Sequence, residues 1–68
     1  MIRLWRSKAL REVGYDAESR TLRVDFLNGG RYEYLEVPPE VYQGLIHSAH
    51  PWAEWRGQVQ RHEYRRVG

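Results

Sequence analysis

The sequence predicts a single α+β domain in which an antiparallel three-stranded β-meander is covered on one face by two short C-terminal helices. Apolar and polar residues alternate through the first half of the chain, which is typical of strands. The period becomes helical after Pro38 and Pro39. The chain has 68 residues and no cysteine, so it has room for one small core, which three Trp, five Tyr and one Phe can fill.

The segments "ALREVGYD" and "TLRVDF" predict the first two strands. Asp16 opens the polar turn between them, because its short side chain can bond the turn backbone. A four-residue turn pairs Tyr15 with Leu22 and Val13 with Val24. This register places the apolar residues of both strands on one face of the hairpin.

The segment "NGG" predicts a second hairpin, since a three-residue loop with a left-handed glycine is common in hairpins. A loop at residues 28–30 pairs Phe26 with Tyr32 and Val24 with Tyr34. One face of the meander then carries seven apolar side chains: Val13, Tyr15, Leu22, Val24, Phe26, Tyr32 and Tyr34. The other face carries five charged side chains: Glu12, Arg23, Asp25, Arg31 and Glu33. Asp25 is expected to lie opposite Glu33.

The pair Tyr32 and Tyr34 has two interpretations. On an exposed strand face the two rings would stack successive bases, at about 1–3 kcal/mol per base. In the predicted register they instead face the apolar side chains of the neighbouring strand, and a domain this small depends on large rings for its core. The register therefore favours a place for both tyrosines in the core.

The segment "VPPEVYQGLIHSA" predicts the first helix, with proline in the first turn and apolar residues at helical spacing. Pro51 interrupts this helix, and "PWAEWRGQVQR" predicts a second one with Trp52, Trp55 and Val59 at i, i+3 and i+7. The final segment "HEYRRV" is expected to form an irregular tail or a short edge strand.

The segment from Ser7 to Ala49 contains "VGYD", "YEY" and "VPPEVY" in that order. In this combination it resembles the KTSC domain, a short bacterial and phage module also found at the C-terminus of some lysyl-tRNA synthetases. The resemblance implies a single domain over residues 7–68 after an N-terminal extension, residues 1–6. Attachment to tRNA synthetases implies nucleic-acid binding, of RNA in particular. The stretch "HPWAEW" departs from the family pattern, which usually has a Ser-x-Gly step and an aromatic–Asn pair there.

The C-terminal segment carries the candidate functional residues. Net charge is +2 with histidine neutral, and Lys8 is the only lysine, so the other cationic residues are arginines. The planar guanidinium of arginine binds phosphates through two parallel hydrogen bonds and stacks on aromatic rings. We expect weak binding of RNA or single-stranded nucleic acid through arginines and interleaved aromatic rings. The candidate residues are Arg56, Arg61, Arg65, Arg66, Trp55 and Tyr64. The alternative is a protein-interaction module, an adaptor or a homodimer, with its arginines merely solvated. Trp5 and the open sheet edges favour that alternative.

Several other classes of function are not expected. Asp25 and Glu33 resemble a catalytic carboxylate pair only in spacing, since they lie on a flat strand face beside arginines, and no enzyme is predicted. No metal site and no cofactor are expected, because cysteine is absent and the glycines serve a hairpin. No apolar run approaches the ~20 residues of a membrane span. With no signal-peptide pattern either, we expect a cytoplasmic protein without membrane contact.

Overall fold

The computed structural model of the protein describes residues 2–5 and 7–68. It confirms an α+β fold with an antiparallel sheet and two helices. The sheet has five strands in sequence order, so the prediction of three strands is wrong. The strands are β1 (Ile2–Arg3), β2 (Leu10–Asp16), β3 (Thr21–Phe26), β4 (Arg31–Tyr34) and β5 (Tyr64–Arg66), and the helices α1 (Pro39–His47) and α2 (Pro51–Val59) lie between β4 and β5 in the sequence.

The two additional strands extend the meander at both edges. β1 pairs with β2, and β5 pairs with β4. Both are exposed strands, of two and three residues. β5 is the short edge strand that was one of the two alternatives for "HEYRRV", whereas β1 was not predicted, because two residues are too few for an alternating pattern. Residues 1 and 6 of the predicted N-terminal extension lie outside the described residues.

The first hairpin has the predicted register. Tyr15 lies opposite Leu22 and Val13 opposite Val24. The pairing becomes irregular between Leu10 and Glu12, a bulge that the sequence did not indicate. The apolar side chains of both strands therefore face the helices together.

The second hairpin differs from the prediction by two residues. Its loop is residues 27–29, because the Phe26 N–H donates to the Gly30 carbonyl at 2.8 Å. Gly29 is the glycine with a positive φ, +99°, which places the turn one position earlier than expected. Val24 consequently lies opposite Tyr32. A shift of two residues leaves every side chain on its predicted face.

The core lies between the sheet and the two helices. α1 buries Val41 and Leu45, and α2 buries Val59. Each helix begins at a proline, where the missing N–H costs nothing and the fixed φ suits a helix. Buried apolar side chains fill the layer between them: Leu4, Leu10, Val13, Leu22, Val24, Tyr34, Val37, Val41, Leu45 and Val59. Both helices were predicted correctly.

Candidate nucleic-acid interface

A groove lies between α2 and the part of the sheet formed by β3, β4 and β5, and we call it the aromatic groove. Its volume is about 410 Å³. Aromatic rings form most of its wall, and two amide side chains complete it. The lining residues are Phe26, Asn28, Tyr32, Tyr34, Trp52, Gln60 and Tyr64.

Three pairs of rings in the groove meet edge to face. Phe26 contacts Trp52 with ring centroids 5.1 Å apart and Tyr32 with centroids 5.5 Å apart. Tyr32 contacts Tyr64 in the same way at 5.6 Å. This packing suits the charge distribution of aromatic rings and fixes their orientation. Tyr64 is 61% exposed, so it offers ring surface to a ligand on a fixed support.

The two tyrosines of "YEY" differ in their surroundings. Tyr34 is only 5% exposed, and burial raises the pKa of its phenol. Tyr32 is half-buried, packs against the core and also lines the aromatic groove. Tyr34 is therefore a core residue, whereas Tyr32 supports the groove as well as the core.

Arg66 places a positive charge beside the groove. It lies opposite Tyr32 in the β4–β5 pairing, and its guanidinium carbon is 5.6 Å from the centre of the Tyr32 ring. Its Nε donates to the Gly68 oxygen at 3.0 Å. Within residues 2–5 and 7–68, Arg66 forms no ion pair with an Asp or Glu side chain. Tyr64 and Arg66, both predicted site residues, thus share the groove side of β5.

Arg65 points to the opposite face of the sheet. Its Nε donates to Oε1 of Glu33 at 2.8 Å, and its Nη2 lies 2.7 Å from the same oxygen. Arg23 Nη2 donates to the other carboxylate oxygen at 2.7 Å. Hydrogen bonds from Arg23 and Arg65 lower the pKa of the Glu33 carboxyl, and the bond to Glu33 raises the pKa of Arg23. Arg65 therefore belongs to an ion-pair cluster with Glu33 and Arg23, on the face of the sheet opposite the groove.

The remaining predicted site residues lie in three different places. Arg56 is exposed on α2 and lines a separate cavity. Arg61 is exposed after α2, beside Glu36 and Glu63. Trp55 is half-buried, with its ring against α1. The six residues therefore do not form one surface.

Two features of the groove escaped the sequence interpretation. Phe26 and Trp52 are groove residues that the spacing pattern assigned to the core. Only the crossing of α2 over the end of β3 brings these two rings together. The pairing of Tyr64 with Tyr34 was also not predicted, because the three exposed residues of β5 show no alternating pattern from which a register could be inferred.

The expected pairing of Asp25 with Glu33 is wrong, because the register differs. Asp25 lies opposite Arg31, with Oδ2 3.6 Å from its Nε, and Glu33 lies opposite Arg23. Opposite charges therefore alternate across this face of the sheet, which is favourable for cross-strand pairs.

In the part of the chain that the structure describes, no three His, Cys, Asp or Glu side chains are grouped to hold a metal ion.

The fold and the groove define a small α+β module with an aromatic cleft at one side of its sheet. The chain belongs to the KTSC domain family, since the model of that family matches residues 6–64. No helix among the described residues is long and apolar enough to cross a membrane.

One solved structure and two further proteins are similar to this chain, and the solved structure is a KTSC domain protein. The crystal structure of a KTSC domain protein from Yersinia pestis superposes with a TM-score of 0.84 at 27% identity, over 91% of this chain and 89% of the other. An uncharacterised protein of Stutzerimonas stutzeri is 50% identical over 40 residues, 59% of this chain and 56% of that protein. A Tsukamurella paurometabola protein is 42% identical over 40 residues, 59% of this chain and 60% of that protein. The match thus spans less than two thirds of the length of both relatives.

Proposed function

We propose that the protein is a nonenzymatic module that weakly binds RNA or other single-stranded nucleic acid in the aromatic groove. The observation that carries this proposal is the position of Arg66 and the exposed Tyr64 on the same side of β5, against Tyr32. Ring faces beside a guanidinium are the combination by which single strands are commonly held.

Each part of the groove has a role in this proposal. An unstacked base lies against Tyr64, and such stacking contributes about 1–3 kcal/mol per base. Arg66 contacts a phosphate next to that base. The groove volume of about 410 Å³ lies within the usual range of small-ligand sites and is large enough for a nucleobase.

The proposed recognition has little sequence preference. Stacking accepts any base, because every base has a π-face. Asn28 and Gln60 are the two described lining residues with side-chain amides, which can donate to and accept from a base edge at the same time, whereas each tyrosine hydroxyl offers a single oxygen. Asn28 already uses its Oδ1 to accept from the Gly30 N–H at 3.1 Å. Gln60 is therefore the residue that would read a base.

The test is a fluorescence-anisotropy titration with labelled single-stranded RNA and DNA at about 50 and about 200 mM salt. Tyr64→Ala is expected to weaken binding by about 1–3 kcal/mol, the value of one stacked base. Arg66→Ala is expected to weaken binding and to lower the salt slope by about 0.7, the value for one phosphate on a single strand.

Arg65→Ala is the matched control, because Arg65 is the next residue in the sequence and points to the other face. It removes the same charge, and Glu33 keeps its bond to Arg23. We expect affinity and salt slope to stay close to wild type. Equal losses in Arg65→Ala and Arg66→Ala would show that net charge rather than the groove determines binding.

A second candidate function is self-association through β1. Trp5 is 79% exposed and Ile2 is 41% exposed, both beside an edge strand whose outer side is open among the described residues. An exposed indole next to free backbone groups is a typical anchor for a second copy of the chain. Sedimentation over a concentration series, with Trp5→Ala as the comparison, tests this. A wild-type protein that remains monomeric throughout rejects it.

A further inference from the structure

A second cavity lies on the other side of Trp52, and we call it the basic cavity. Its volume is about 330 Å³. Lys8, His50 and Arg56 contribute basic side chains to it, and its described lining residues include no carboxylate. All three basic residues are exposed. The rest of the described lining is mostly apolar, so Lys8, the only lysine of the chain, and Arg56 are the groups that an anion in this cavity would contact.

Trp52 separates the basic cavity from the aromatic groove and lines both. Its indole is held edge to face against Phe26, at a centroid distance of 5.1 Å and an interplanar angle of 85°. Arg56 lies four residues after Trp52 on α2, so the two side chains share one face of the helix. Trp52 and Arg56 both line the basic cavity.

We propose that the groove and the basic cavity form one continuous path for a single strand. One base occupies the aromatic groove, the backbone crosses the edge of Trp52, and the phosphate of an adjoining nucleotide enters the basic cavity. Lys8 and Arg56 contact that phosphate. This inference rests on the proposed function, and it makes the ligand an oligonucleotide rather than a free nucleoside or a mononucleotide.

The charge distribution supports this path of the strand from the aromatic groove to the basic cavity. In the described chain neither Lys8 nor Arg56 forms an ion pair with an Asp or Glu side chain. Arg65 and Arg23 are instead engaged with Glu33 on the far side of the sheet. Arg61 stands beside Glu36 and Glu63. Three basic residues next to the groove or the basic cavity therefore form no ion pair with Asp or Glu in the described chain. They are Arg66, beside Tyr32, and Lys8 and Arg56, which line the basic cavity with Trp52.

The experiment compares two probes with the full chain: a labelled oligothymidylate of about ten nucleotides, within the site size of small single-strand-binding domains, and the same strand with uncharged methylphosphonate linkages. The Lys8→Ala/Arg56→Ala variant is expected to bind the charged strand on the order of tenfold more weakly, with a salt slope lower by up to about 1.4, two contacts at about 0.7 each. Wild type and variant should bind the uncharged strand equally.

Arg11→Ala/Arg20→Ala is the matched control, since it removes two charges from exposed positions that line neither the groove nor the basic cavity. It should bind the charged strand nearly as wild type does. If the control loses as much affinity as the Lys8/Arg56 variant, the two cavities are not one path. The same conclusion follows if that variant also loses affinity for the uncharged strand.

The outcomes also separate this inference from the proposed function. If wild type binds neither probe, or if Tyr64→Ala leaves binding unchanged, the proposed function itself is wrong. If Tyr64→Ala weakens binding of both probes while the Lys8/Arg56 variant behaves like the control, the groove binds nucleic acid but the path across Trp52 does not exist. Far-ultraviolet circular dichroism of each variant checks that the fold is retained.

Discussion

The six-membered ring of Trp55 occupies the space that a side chain at Gly44 would need. This contact joins α2 to α1, and it explains a glycine in the middle of a helix, where glycine costs about 1 kcal/mol relative to alanine. It also places Trp55 between the helices and outside the lining of the aromatic groove. Trp55, one of the predicted binding residues, thus packs its ring against Gly44.

Gly44→Ala is expected to destabilise the protein. The added methyl group overlaps the indole, and overpacking of this kind costs about 1–3 kcal/mol. Most of this range is larger than the ~1 kcal/mol that alanine gains over glycine in helix propensity. A net loss of about 1 kcal/mol in the free energy of unfolding is expected in urea titrations followed by tryptophan fluorescence.

Gly57→Ala is the matched control for this substitution. Gly57 lies inside α2, and a methyl group there meets nothing within 4 Å. The same chemical change should stabilise the protein by about 0.5–1 kcal/mol through helix propensity alone. Two variants with the same sign would contradict the packing role of Trp55.

Tyr15→Phe is expected to destabilise the protein by about 1 kcal/mol, the net value of a typical hydrogen bond. The Tyr15 hydroxyl donates to the Val37 carbonyl at 2.5 Å and so joins β2 to the segment before α1. Tyr42→Phe is the control. Tyr42 stacks on Tyr15 with centroids 5.3 Å apart, but its hydroxyl has no protein partner among the described residues. Thermal unfolding should separate the two variants, and equal effects would argue against the bond.

The stabilising effect of Glu33 is expected to depend on pH. Hydrogen bonds from Arg23 and Arg65 lower its pKa below the usual value of 4.5. A lowered folded-state pKa means that the contribution is present above pH 4.5 and is lost as the pH falls through the folded-state value. Glu33→Gln should therefore lower the urea midpoint at neutral pH.

The difference between wild type and Glu33→Gln should shrink as the pH falls below 4.5. Urea titrations across this range measure it directly. Glu18→Gln is the control, because Glu18 is exposed in the first turn and has no ion pair in the described structure. A Glu33→Gln deficit that stays constant with pH would mean that the charge of Glu33 does not contribute.

Gly29→Ala is expected to cost about 1–2 kcal/mol, because L-residues are strained at positive φ. Gly29 has a φ of +99° and closes the second hairpin. Gly29→Asn should cost less, since asparagine tolerates left-handed conformations better. Chemical denaturation checks the order. If alanine and asparagine are equally well tolerated, the loop has another conformation in solution.

Much of the fold was predictable because it depends on local patterns. Alternation placed the apolar residues of β2, β3 and β4 on one face, and prolines marked the starts of α1 and α2. The predicted register of the second hairpin is shifted by two residues from the observed one. Either Gly29 or Gly30 suits a turn, and only the folded backbone shows that Gly29 is the one with a positive φ. The error changed the partner of Glu33 from an aspartate to an arginine.

Periodicity and composition are enough to predict the α+β class, the buried face of the meander and the arginines and rings near the C-terminus. Which of those residues share a surface depends on how the strands and helices pack. β5 sends Arg65 and Arg66 to opposite faces, and α2 brings Trp52 to Phe26 while Trp55 turns to Gly44. The physical reason is that strand pairing and helix packing join residues distant in sequence, and burial of those contacts sets their positions.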